Sequence, residues 1–320
     1  MKNKIFKAVV LEPVHPSLAE VFENNNIKTI DASHLSEREQ MFFLKDADIL
    51  IVRSKKVDRK IIDAAPHLKI IGRAGSGVEN IDVQYAASKN IKCINSPEGN
   101  RDAVGEHVIG MLLMLLHHLK KADAEVRQNI WDRKSNWGNE LKNQCVAIIG
   151  YGNMGSALAK KLSGFECEIL VYDKYKKNIT DDFVKNSSLE EIHKTADIVS
   201  LHLPLTDETY YYANEEFFGQ FKKSIYFINT SRGKIVKTAA LVEAMKSGKV
   251  KGACLDVIEY EGSDFESMNV QDTENFEYLK KSDKVILTPH IAGWTFQSYE
   301  KICRILAEKI VEAVKQPAMS

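Results

Sequence analysis

One glycine-rich turn near the middle of the 320-residue chain constrains its fold more than any other feature. The apolar run Cys145–Ile149 leads into Gly150, Gly152 and Gly155, and a helical pattern follows. In G-x-G-x-x-G spacing the glycines allow a tight turn, a close approach of a pyrophosphate and tight packing of helix against strand. The start of the helix then offers free N–H groups and a positive dipole end to the phosphates. The pattern predicts a βαβ unit that binds a dinucleotide.

The acidic residue that should accompany such a turn is also present. A second strand pattern, Glu168–Tyr172, ends in Asp173, which lies 23 positions after Gly150. A carboxylate at this place binds the adenosine ribose hydroxyls and repels a 2′-phosphate. Lys174 follows, but one cation beside the acid does not reverse that preference. The sequence therefore predicts NAD as the cofactor rather than NADP.

Strand and helix patterns alternate on both sides of this turn, which favours parallel α/β domains. The strands are expected at Lys7–Leu11, Lys28–Asp31, Ile49–Arg53, Lys69–Arg73, Lys92–Asn95, Cys145–Ile149, Glu168–Tyr172, Asp197–Leu201, Ser224–Asn229, Gly252–Val257 and Lys284–Leu287. Helices are expected at Ser17–Asn25, Asp58–Ala65, Gly152–Leu162, Leu189–Lys194, Thr238–Ser247 and Thr295–Val314, with one unbroken helix over Asp102–Asn129 and a loop over Trp131–Gly138. Because the fingerprint begins only at Gly150, the first hundred residues must form another domain.

Composition excludes several classes of protein. Lys and Arg balance Asp and Glu at 44 each, which gives no electrostatic case for nucleic acid or an anionic membrane as a partner. No apolar run reaches 18 residues, and the N-terminus lacks the apolar core of a signal peptide. The five cysteines form no C-x-x-C pair, so we expect reduced thiols in a cytoplasmic protein and no metal site.

Three further motifs follow predicted strands and carry charged side chains. Asn229 leads to Arg232, the strand ending at Val257 leads to Glu259-Tyr260-Glu261, and the strand ending at Leu287 leads to His290. Ligands of open α/β sheets bind at this edge. A guanidinium fork suits the adjacent carboxylate and carbonyl of a 2-keto acid. A histidine held by a carboxylate suits the proton that reduction at C2 requires.

Together these segments resemble the D-isomer-specific 2-hydroxyacid dehydrogenase family, from about residue 49 to residue 293. The resemblance depends on the following motifs: Val52-Arg53-Ser54, Gly72-Arg73-Ala-Gly-Ser76-Gly77-Val-Glu-Asn80-Ile-Asp82, Asn95-Ser-Pro97, the glycine fingerprint, Thr230-Ser-Arg232-Gly233, Leu255-Asp256-Val257 and Thr288-Pro-His290.

The resemblance implies two Rossmann-like doubly wound domains, with the nucleotide-binding domain inserted into the substrate domain. The expected NAD-binding domain is 101–290, and the substrate (lid) domain is 1–100 with 291–320, closing by a hinge. The catalytic set would be Arg232, Glu261 and His290. The cofactor would contact Gly150, Gly152, Asn153, Met154, Gly155, Asp173, Leu203, Pro204, Thr230, Asp256 and Gly293. The substrate would contact Arg53, Ser54, Arg73, Ser76, Gly77 and Arg133.

The chain departs from the family pattern at four places. Asn153-Met154 replaces the common Arg-Ile, Gly262 replaces the usual Pro, and Trp294 stands where smaller residues are common. The acidic segment 258–283 has no assigned role.

The resemblance is strongest to phosphoglycerate-oxidising members without a regulatory domain, and it implies a small anionic substrate and a homodimer. Arg53, Arg73 and Arg133 suit a phosphate plus a carboxylate, and in such members an arginine matching Arg133 reaches the neighbouring subunit's substrate. Two alternatives remain open. One is a glyoxylate or hydroxypyruvate reductase, or another D-2-hydroxyacid reductase. The other is an NAD-sensing binding protein like the C-terminal-binding corepressors.

Overall fold

The computed structural model describes residues 5–262, 267 and 273–316. The chain divides into two compact units, one made of residues 1–100 and 294–320 and the other of residues 101–293. Each unit contains a parallel sheet covered by helices, which confirms the predicted fold class. The second unit is an insertion, because the first resumes after it along the chain.

The described strands are β1 (Phe6–Val10), β2 (Ile27–Asp31), β3 (Ile49–Val52), β4 (Ile70–Arg73), β5 (Lys92–Asn95), β6 (Cys145–Ile149), β7 (Glu168–Tyr172), β8 (Lys185–Asn186), β9 (Ile198–Leu201), β10 (Ile225–Asn229), β11 (Val250–Leu255) and β12 (Val285–Leu287). The described α-helices are α1 (Ser17–Glu23), α2 (Glu37–Leu44), α3 (Arg59–Asp63), α4 (Val83–Ser88), α5 (Arg101–Leu116), α6 (Leu119–Arg127), α7 (Asn153–Leu162), α8 (Leu189–Thr195), α9 (Glu215–Gln220), α10 (Thr238–Lys246), α11 (Thr273–Lys281) and α12 (Phe296–Val314).

The first unit is a five-stranded parallel sheet in the order β2-β1-β3-β4-β5. Helices α1 and α12 cover one face, and α2, α3 and α4 cover the other. A Cβ on Gly72 of β4 would lie 2.8 Å from the Ile310 side chain of α12, so this helix packs directly on the sheet. The C-terminal helix is therefore part of the core that the first hundred residues begin.

The second unit is a seven-stranded parallel sheet in the order β12-β11-β10-β9-β6-β7-β8. Helices α5 and α7 pack on one face, and α8, α9 and α10 pack on the other. The strand order reverses between β6 and β9. In an open α/β sheet a ligand binds beyond the carboxyl ends of the strands at this reversal.

The expected unbroken helix over Asp102–Asn129 is wrong. Helix α5 ends at Leu116, and α6 begins at Leu119 after His118 adopts a left-handed conformation with φ 53°. The cause lies in a distant segment of the chain. The N–H of Asn139 donates to the Leu116 carbonyl at 2.9 Å, so the returning chain uses an oxygen that a continuous helix would need. A Cβ on Gly138 would lie 2.5 Å from the same oxygen.

The described part of the chain has no helix that combines the length and apolar character needed to cross a membrane. It also has no group of three or more His, Cys, Asp or Glu placed to hold a metal ion. All five cysteines are unpaired, and three of them, Cys145, Cys254 and Cys303, are buried.

Candidate active site

The glycine turn connects β6 to α7 at the reversal of the second sheet. Gly150 has φ +96°, and a Cβ there would lie 2.3 Å from the carbonyl oxygen of His202. A Cβ on Gly155 would lie 2.1 Å from the carbonyl oxygen of Gly150. Gly152, by contrast, has no atom within 4 Å of the place its Cβ would take, so this face of the turn is open to a ligand.

The first turn of α7 has backbone N–H groups that no capping side chain occupies, so they can donate to that ligand. Its N-cap is Gly152, and no side chain caps the helix. Asn153 and Met154 are its first two residues, and both are half-buried. Free N–H groups and a positive dipole end at an open face fit a pyrophosphate.

Asp173, directly after β7, is held in place by the backbone. Its carboxylate accepts hydrogen bonds from the N–H groups of Tyr151 at 2.8 Å and of Tyr175 and Lys176 at 2.9 Å. Partial burial by itself raises the pKa of this carboxyl, but the three backbone hydrogen bonds lower it more, so the net pKa lies below its ordinary value. Asp173 is therefore ionised at neutral pH and fits a ribose diol. The neighbouring Lys174 pairs with Glu208.

The walls beside the turn are formed by the ends of β9 and β10. Leu203 and Pro204 follow β9, next to the His202 carbonyl that touches Gly150. Thr230 follows β10, and its hydroxyl is buried with no hydrogen-bond partner among the described residues. A buried hydroxyl usually has a partner, so this orphaned atom also fits a bound cofactor.

Arg232 lies on a loop that a buried amide holds. The side chain of Asn229 accepts from the N–H of Ser231 at 3.0 Å and donates to the carbonyl of Arg232 at 3.0 Å. The guanidinium itself donates to the Ser231 carbonyl at 2.7 Å. A Cβ on Gly233 would lie 1.8 Å from the Ile258 carbonyl oxygen, so this loop touches the loop after β11.

Glu261 and His290 meet across two of these loops. Glu261 Oε2 lies 3.0 Å from His290 Nδ1, and Glu261 Oε1 accepts from the Ile258 N–H at 2.7 Å. Both side chains remain partly accessible, at 19% and 25% exposure. A carboxylate can only accept hydrogen bonds, so we assign the proton of the histidine to Nδ1. The second ring nitrogen, Nε2, is then the atom that can exchange a proton with a substrate.

Asp256 holds the loop that carries His290. Its Oδ1 accepts from the Thr288 hydroxyl at 2.6 Å and the Ile291 N–H at 2.8 Å, and its Oδ2 accepts from the Ala292 N–H at 2.9 Å. Gly293, half-buried, ends this loop. These hydrogen bonds of the Asp256 carboxylate are all made within the protein, and its expected contact with the nicotinamide stays a prediction.

In the first unit, Glu12 organises the loop after β3. Its carboxylate accepts from the N–H groups of Arg53, Ser54 and Lys55 and from the Ser54 hydroxyl at 2.6 Å. Burial by itself raises the pKa of Glu12, but the hydrogen bonds lower the pKa by more than burial raises it. The net pKa of Glu12 therefore lies below its ordinary value. The Ser54 hydroxyl, predicted to contact substrate, therefore donates to Glu12 in this structure.

The Arg53 side chain extends from this loop and packs against aromatic rings. Its guanidinium carbon lies 4.1 Å from the centre of the Trp294 ring and 5.5 Å from that of Tyr299. Among the described residues it has no ion-pair partner. Trp294 remains 65% exposed, although it stacks on this cation.

The other predicted substrate residues of the first unit surround the turn after β4. The Arg73 guanidinium lies over Gly75, since a Cβ there would be 1.6 Å from its Nη1. The Ser76 hydroxyl donates to Asn100 at 2.6 Å, and the Asn95 side chain donates to the Ser76 carbonyl. Gly77 is half-buried in the same turn.

Arg133 lies in the second unit, in the loop after α6, and is exposed. Asp132 closes the turn around it by accepting from the N–H groups of Lys134 and Ser135 at 3.0 Å. Arg133 therefore lies on a surface loop that these hydrogen bonds hold together, and among the described residues it has no contact with the catalytic set.

Three residues in these networks were not predicted as functional. Asn229 holds the Arg232 loop, Glu12 holds the Arg53 loop, and Thr288 joins Asp256. Thr288 begins one of the quoted motifs and Asn229 directly precedes another, so their positions were visible in the sequence. Glu12 gave no such signal, because its partners are more than 40 residues away.

Comparison with known proteins finds one family model and several relatives that are similar to this chain. Residues 109–292 match the model of the D-isomer specific 2-hydroxyacid dehydrogenase, NAD binding domain. A hydroxypyruvate reductase of Thermotoga maritima is 34% identical over 95% of this chain and 97% of its own length. A D-3-phosphoglycerate dehydrogenase of Archaeoglobus fulgidus is also 34% identical, over 97% of this chain, which spans only 57% of that protein.

Among solved structures, a D-lactate dehydrogenase of Aquifex aeolicus, complexed with NAD and lactic acid, is 31% identical. The match has a TM-score of 0.77 and covers 97% of this chain and 94% of that one. These relatives act on different 2-hydroxy or 2-keto acids, so they agree on the type of enzyme and leave its substrate open.

Proposed function

This chain belongs to the D-isomer-specific 2-hydroxyacid dehydrogenase family and is an NAD-dependent enzyme; from that premise we propose that its substrate pair is D-3-phosphoglycerate and 3-phosphohydroxypyruvate, as in serine biosynthesis. The observation that carries the enzymatic part is the Glu261–His290 pair, 3.0 Å apart, together with the contact between the loop of Arg232 and the loop after β11 that leads to Glu261. The unpaired cysteines fit a cytoplasmic location.

The residues of the chain divide the chemistry between them. NADH, when bound, supplies the hydride to C2 of the keto acid. The Arg232 guanidinium binds the substrate carboxylate and the neighbouring carbonyl oxygen with its N–H donors. As C2 gains the hydride, the His290 ring, protonated on both nitrogens, gives its Nε2 proton to that oxygen and keeps the Nδ1 proton bound to Glu261; in the oxidative direction Nε2 takes the proton back. Glu261 keeps the ring oriented by accepting from Nδ1.

The phosphate is what separates this proposal from its closest alternative. A dianionic phosphate needs more than one cation, and Arg232 is already assigned to the carboxylate. Arg53 supports the proposal because it follows β3, is stacked on aromatic rings and lacks an ion-pair partner among the described residues. A hydroxypyruvate or glyoxylate reductase is the second candidate, because the hydroxypyruvate reductase relative matches nearly the full length of both chains.

We expect kcat/KM with NADH to exceed that with NADPH by at least about tenfold, because Asp173 is ionised where the 2′-phosphate would lie. Asp173→Ser should reduce this ratio by improving the use of NADPH. Steady-state rates with both cofactors at saturating keto acid measure it. Glu208→Gln, which alters the nearby partner of Lys174, serves as the matched control. Equal use of the two cofactors by the wild type would contradict the assignment of Asp173.

Arg73→Ala should lower kcat/KM for 3-phosphohydroxypyruvate by about 10–100-fold, the range of one charge-assisted hydrogen bond. The same change should alter kcat/KM for unphosphorylated hydroxypyruvate by less than about twofold. NADH oxidation with phosphohydroxypyruvate, hydroxypyruvate, glyoxylate, pyruvate and 2-oxoglutarate is the assay. Arg59→Ala removes an exposed arginine from the same unit and is the control.

Two results of this assay would reject the substrate proposal. A wild type that reduces hydroxypyruvate or glyoxylate as well as the phosphate ester would favour the second candidate. An equal loss on both substrates in Arg73→Ala would assign this arginine to the turn around Gly75. Absence of turnover with every keto acid, together with tight NADH binding, would instead indicate an NAD-sensing binding protein.

We also propose a homodimer, formed through helix α6 and the loop that follows it. No residue of α6 is buried, and Trp131 and Trp137 are 80% and 79% exposed. Leu119, Val126 and Ile130, in the same helix and the loop that follows it, are exposed apolar residues as well. An apolar surface of this kind marks a protein contact, and a second copy would also bring Arg133 to an interface.

Sedimentation analysis should give twice the monomer mass at micromolar concentration. The double variant Trp131→Asp/Trp137→Asp should sediment as a monomer. Phe42→Asp, which changes a similarly exposed aromatic residue of the first unit, should leave the mass unchanged. A wild type that sediments as a monomer would reject the dimer without affecting the catalytic proposal.

A further inference from the structure

We propose that His107, on helix α5, is a positioning residue for His290 and acts on it through Thr288 and Asp256. The inference builds on the proton-transfer role proposed for His290, and it holds for any 2-keto acid substrate. The chain of contacts lies entirely within the second unit. It joins a helix on the face of the sheet to a loop at the sheet's carboxyl edge.

The direction of the hydrogen bonds follows from the number of protons available. The Thr288 hydroxyl lies 2.6 Å from Asp256 Oδ1 and 3.0 Å from His107 Nε2. A hydroxyl has one proton, and a carboxylate can only accept, so this proton points to Asp256. The oxygen of Thr288 must then accept from His107, and His107 must carry a proton on Nε2. A donor at this atom therefore fixes which way the hydroxyl points.

Asp256 depends on such donors because it is deeply buried. Its side chain is 0% exposed, and His107 is the basic side chain that comes nearest to it, with Nε2 3.6 Å from Oδ1. No Lys or Arg forms an ion pair with Asp256 among the described residues. Burial of a carboxylate is costly unless hydrogen bonds surround it. The Thr288 hydroxyl and the backbone of the His290 loop supply them.

That loop has a backbone conformation that needs support. His290 has φ 56°, in the left-handed region that few residues other than glycine adopt. Its N–H donates to the Asp256 carbonyl at 2.7 Å and to the Thr288 carbonyl at 3.1 Å. Such a conformation persists where its surroundings hold it. If Thr288 and Asp256 shift, the ring of His290 loses the orientation that points Nε2 at a substrate.

Two amide substitutions at position 107 separate positioning from a general structural role. The amide nitrogen of glutamine can overlay His107 Nε2, whereas that of asparagine overlays Nδ1 and falls short of Thr288. We expect His107→Asn to lower kcat by about 3–10-fold, the range of one net hydrogen bond, with KM and the Kd for NADH within about twofold. We expect His107→Gln to keep kcat within about twofold of the wild type.

A double-mutant cycle tests the path through Thr288. Thr288→Val removes the hydroxyl at nearly constant volume and should lower kcat at least as much as His107→Asn, whereas Thr288→Ser should retain it. The double variant His107→Asn/Thr288→Val should be no slower than Thr288→Val alone, because both changes break one path. Amide exchange of the peptide that contains residues 290–293 should quicken in His107→Asn and not in His107→Gln.

The outcomes separate this inference from the proposed function. Equal kcat in the Asn and Gln variants, or losses that multiply in the double variant, overturns the role of His107. If instead His290→Ala retains full turnover, the proposed function fails, and the amide-exchange comparison still decides whether His107 orders the loop.

Discussion

His290→Ala is expected to lower kcat by at least about 100-fold while the Kd for NADH stays within about twofold of the wild-type value. The substituted residue loses the ring whose Nε2 faces away from Glu261, and alanine offers no group that can carry a proton. The residues expected to bind the cofactor are held by other contacts, the glycine turn by the His202 carbonyl and Asp173 by the N–H groups of Tyr151, Tyr175 and Lys176. Single-turnover absorbance at 340 nm measures the chemical step, and NADH fluorescence measures binding.

Glu261→Gln tests the pair from its other side. The carboxylate accepts two hydrogen bonds, from the Ile258 N–H and from His290 Nδ1. An amide has one oxygen and one NH₂ group, so it can satisfy only one of these donors. We expect kcat to fall by about 10–100-fold, and we expect no further loss when Glu261→Gln is combined with His290→Ala.

Glu259→Gln is the matched control for this change. Glu259 lies two residues earlier and accepts hydrogen bonds from Tyr211 and from the Thr238 N–H rather than from His290. If Glu259→Gln and Glu261→Gln slowed the enzyme equally, the effect would belong to the loop, and the proposed pair would be wrong. A His290→Ala variant with near-normal kcat would reject the assignment of the proton donor.

The sheets could be predicted from the sequence because their signals are local. Buried parallel strands appear as short apolar runs between helical patterns, and Cys145–Ile149, Glu168–Tyr172 and Lys92–Asn95 were predicted with the bounds that the structure has. Most other strands shift by one or two residues. The strand Lys185–Asn186 was missed, since two exposed residues at a sheet edge leave no apolar run.

The break between α5 and α6 could not be predicted in the same way. The apolar spacing of α5 and the polar pattern after it both favour helix, and His118 is no usual helix terminator. The helix ends because a residue far along the chain, Asn139, bonds the Leu116 carbonyl. Such a contact exists only in the folded chain.

The candidate site shows the same contrast between local sequence signals, which could be predicted, and contacts between distant segments, which could not. Strand ends show where charged residues gather, and the family resemblance then implied Arg232, Glu261 and His290 as the catalytic set. The atoms that join them could not: the left-handed backbone of His290, the amide of Asn229 and the carboxylate of Glu12 act through hydrogen bonds between distant segments. Asp256 is the clearest case, because a residue expected at the cofactor gives its carboxylate to the loop of His290.

Arg232→Lys is expected to lower kcat/KM for the keto acid by about 100-fold and to leave the Kd for NADH within about twofold of the wild type. A guanidinium offers two parallel N–H donors to a carboxylate and its neighbouring carbonyl, whereas an ammonium offers a point charge. One lost charge-assisted hydrogen bond costs about 1.5–3 kcal/mol, which corresponds to about 10–150-fold.

The local structure strengthens this expectation. Arg232 Nη1 already donates to the Ser231 carbonyl at 2.7 Å, and Asn229 holds the carbonyl of Arg232, so the guanidinium keeps a fixed plane. A lysine side chain cannot make that anchoring contact and bind the substrate in two places at once. Arg127→Lys, at an arginine of the same unit that is paired with Asp123 on the surface, is the control and should leave kcat/KM unchanged. An Arg232→Lys enzyme with wild-type kcat/KM would mean that the substrate carboxylate is bound by another residue, and Arg53 and Arg73 would be the next to test.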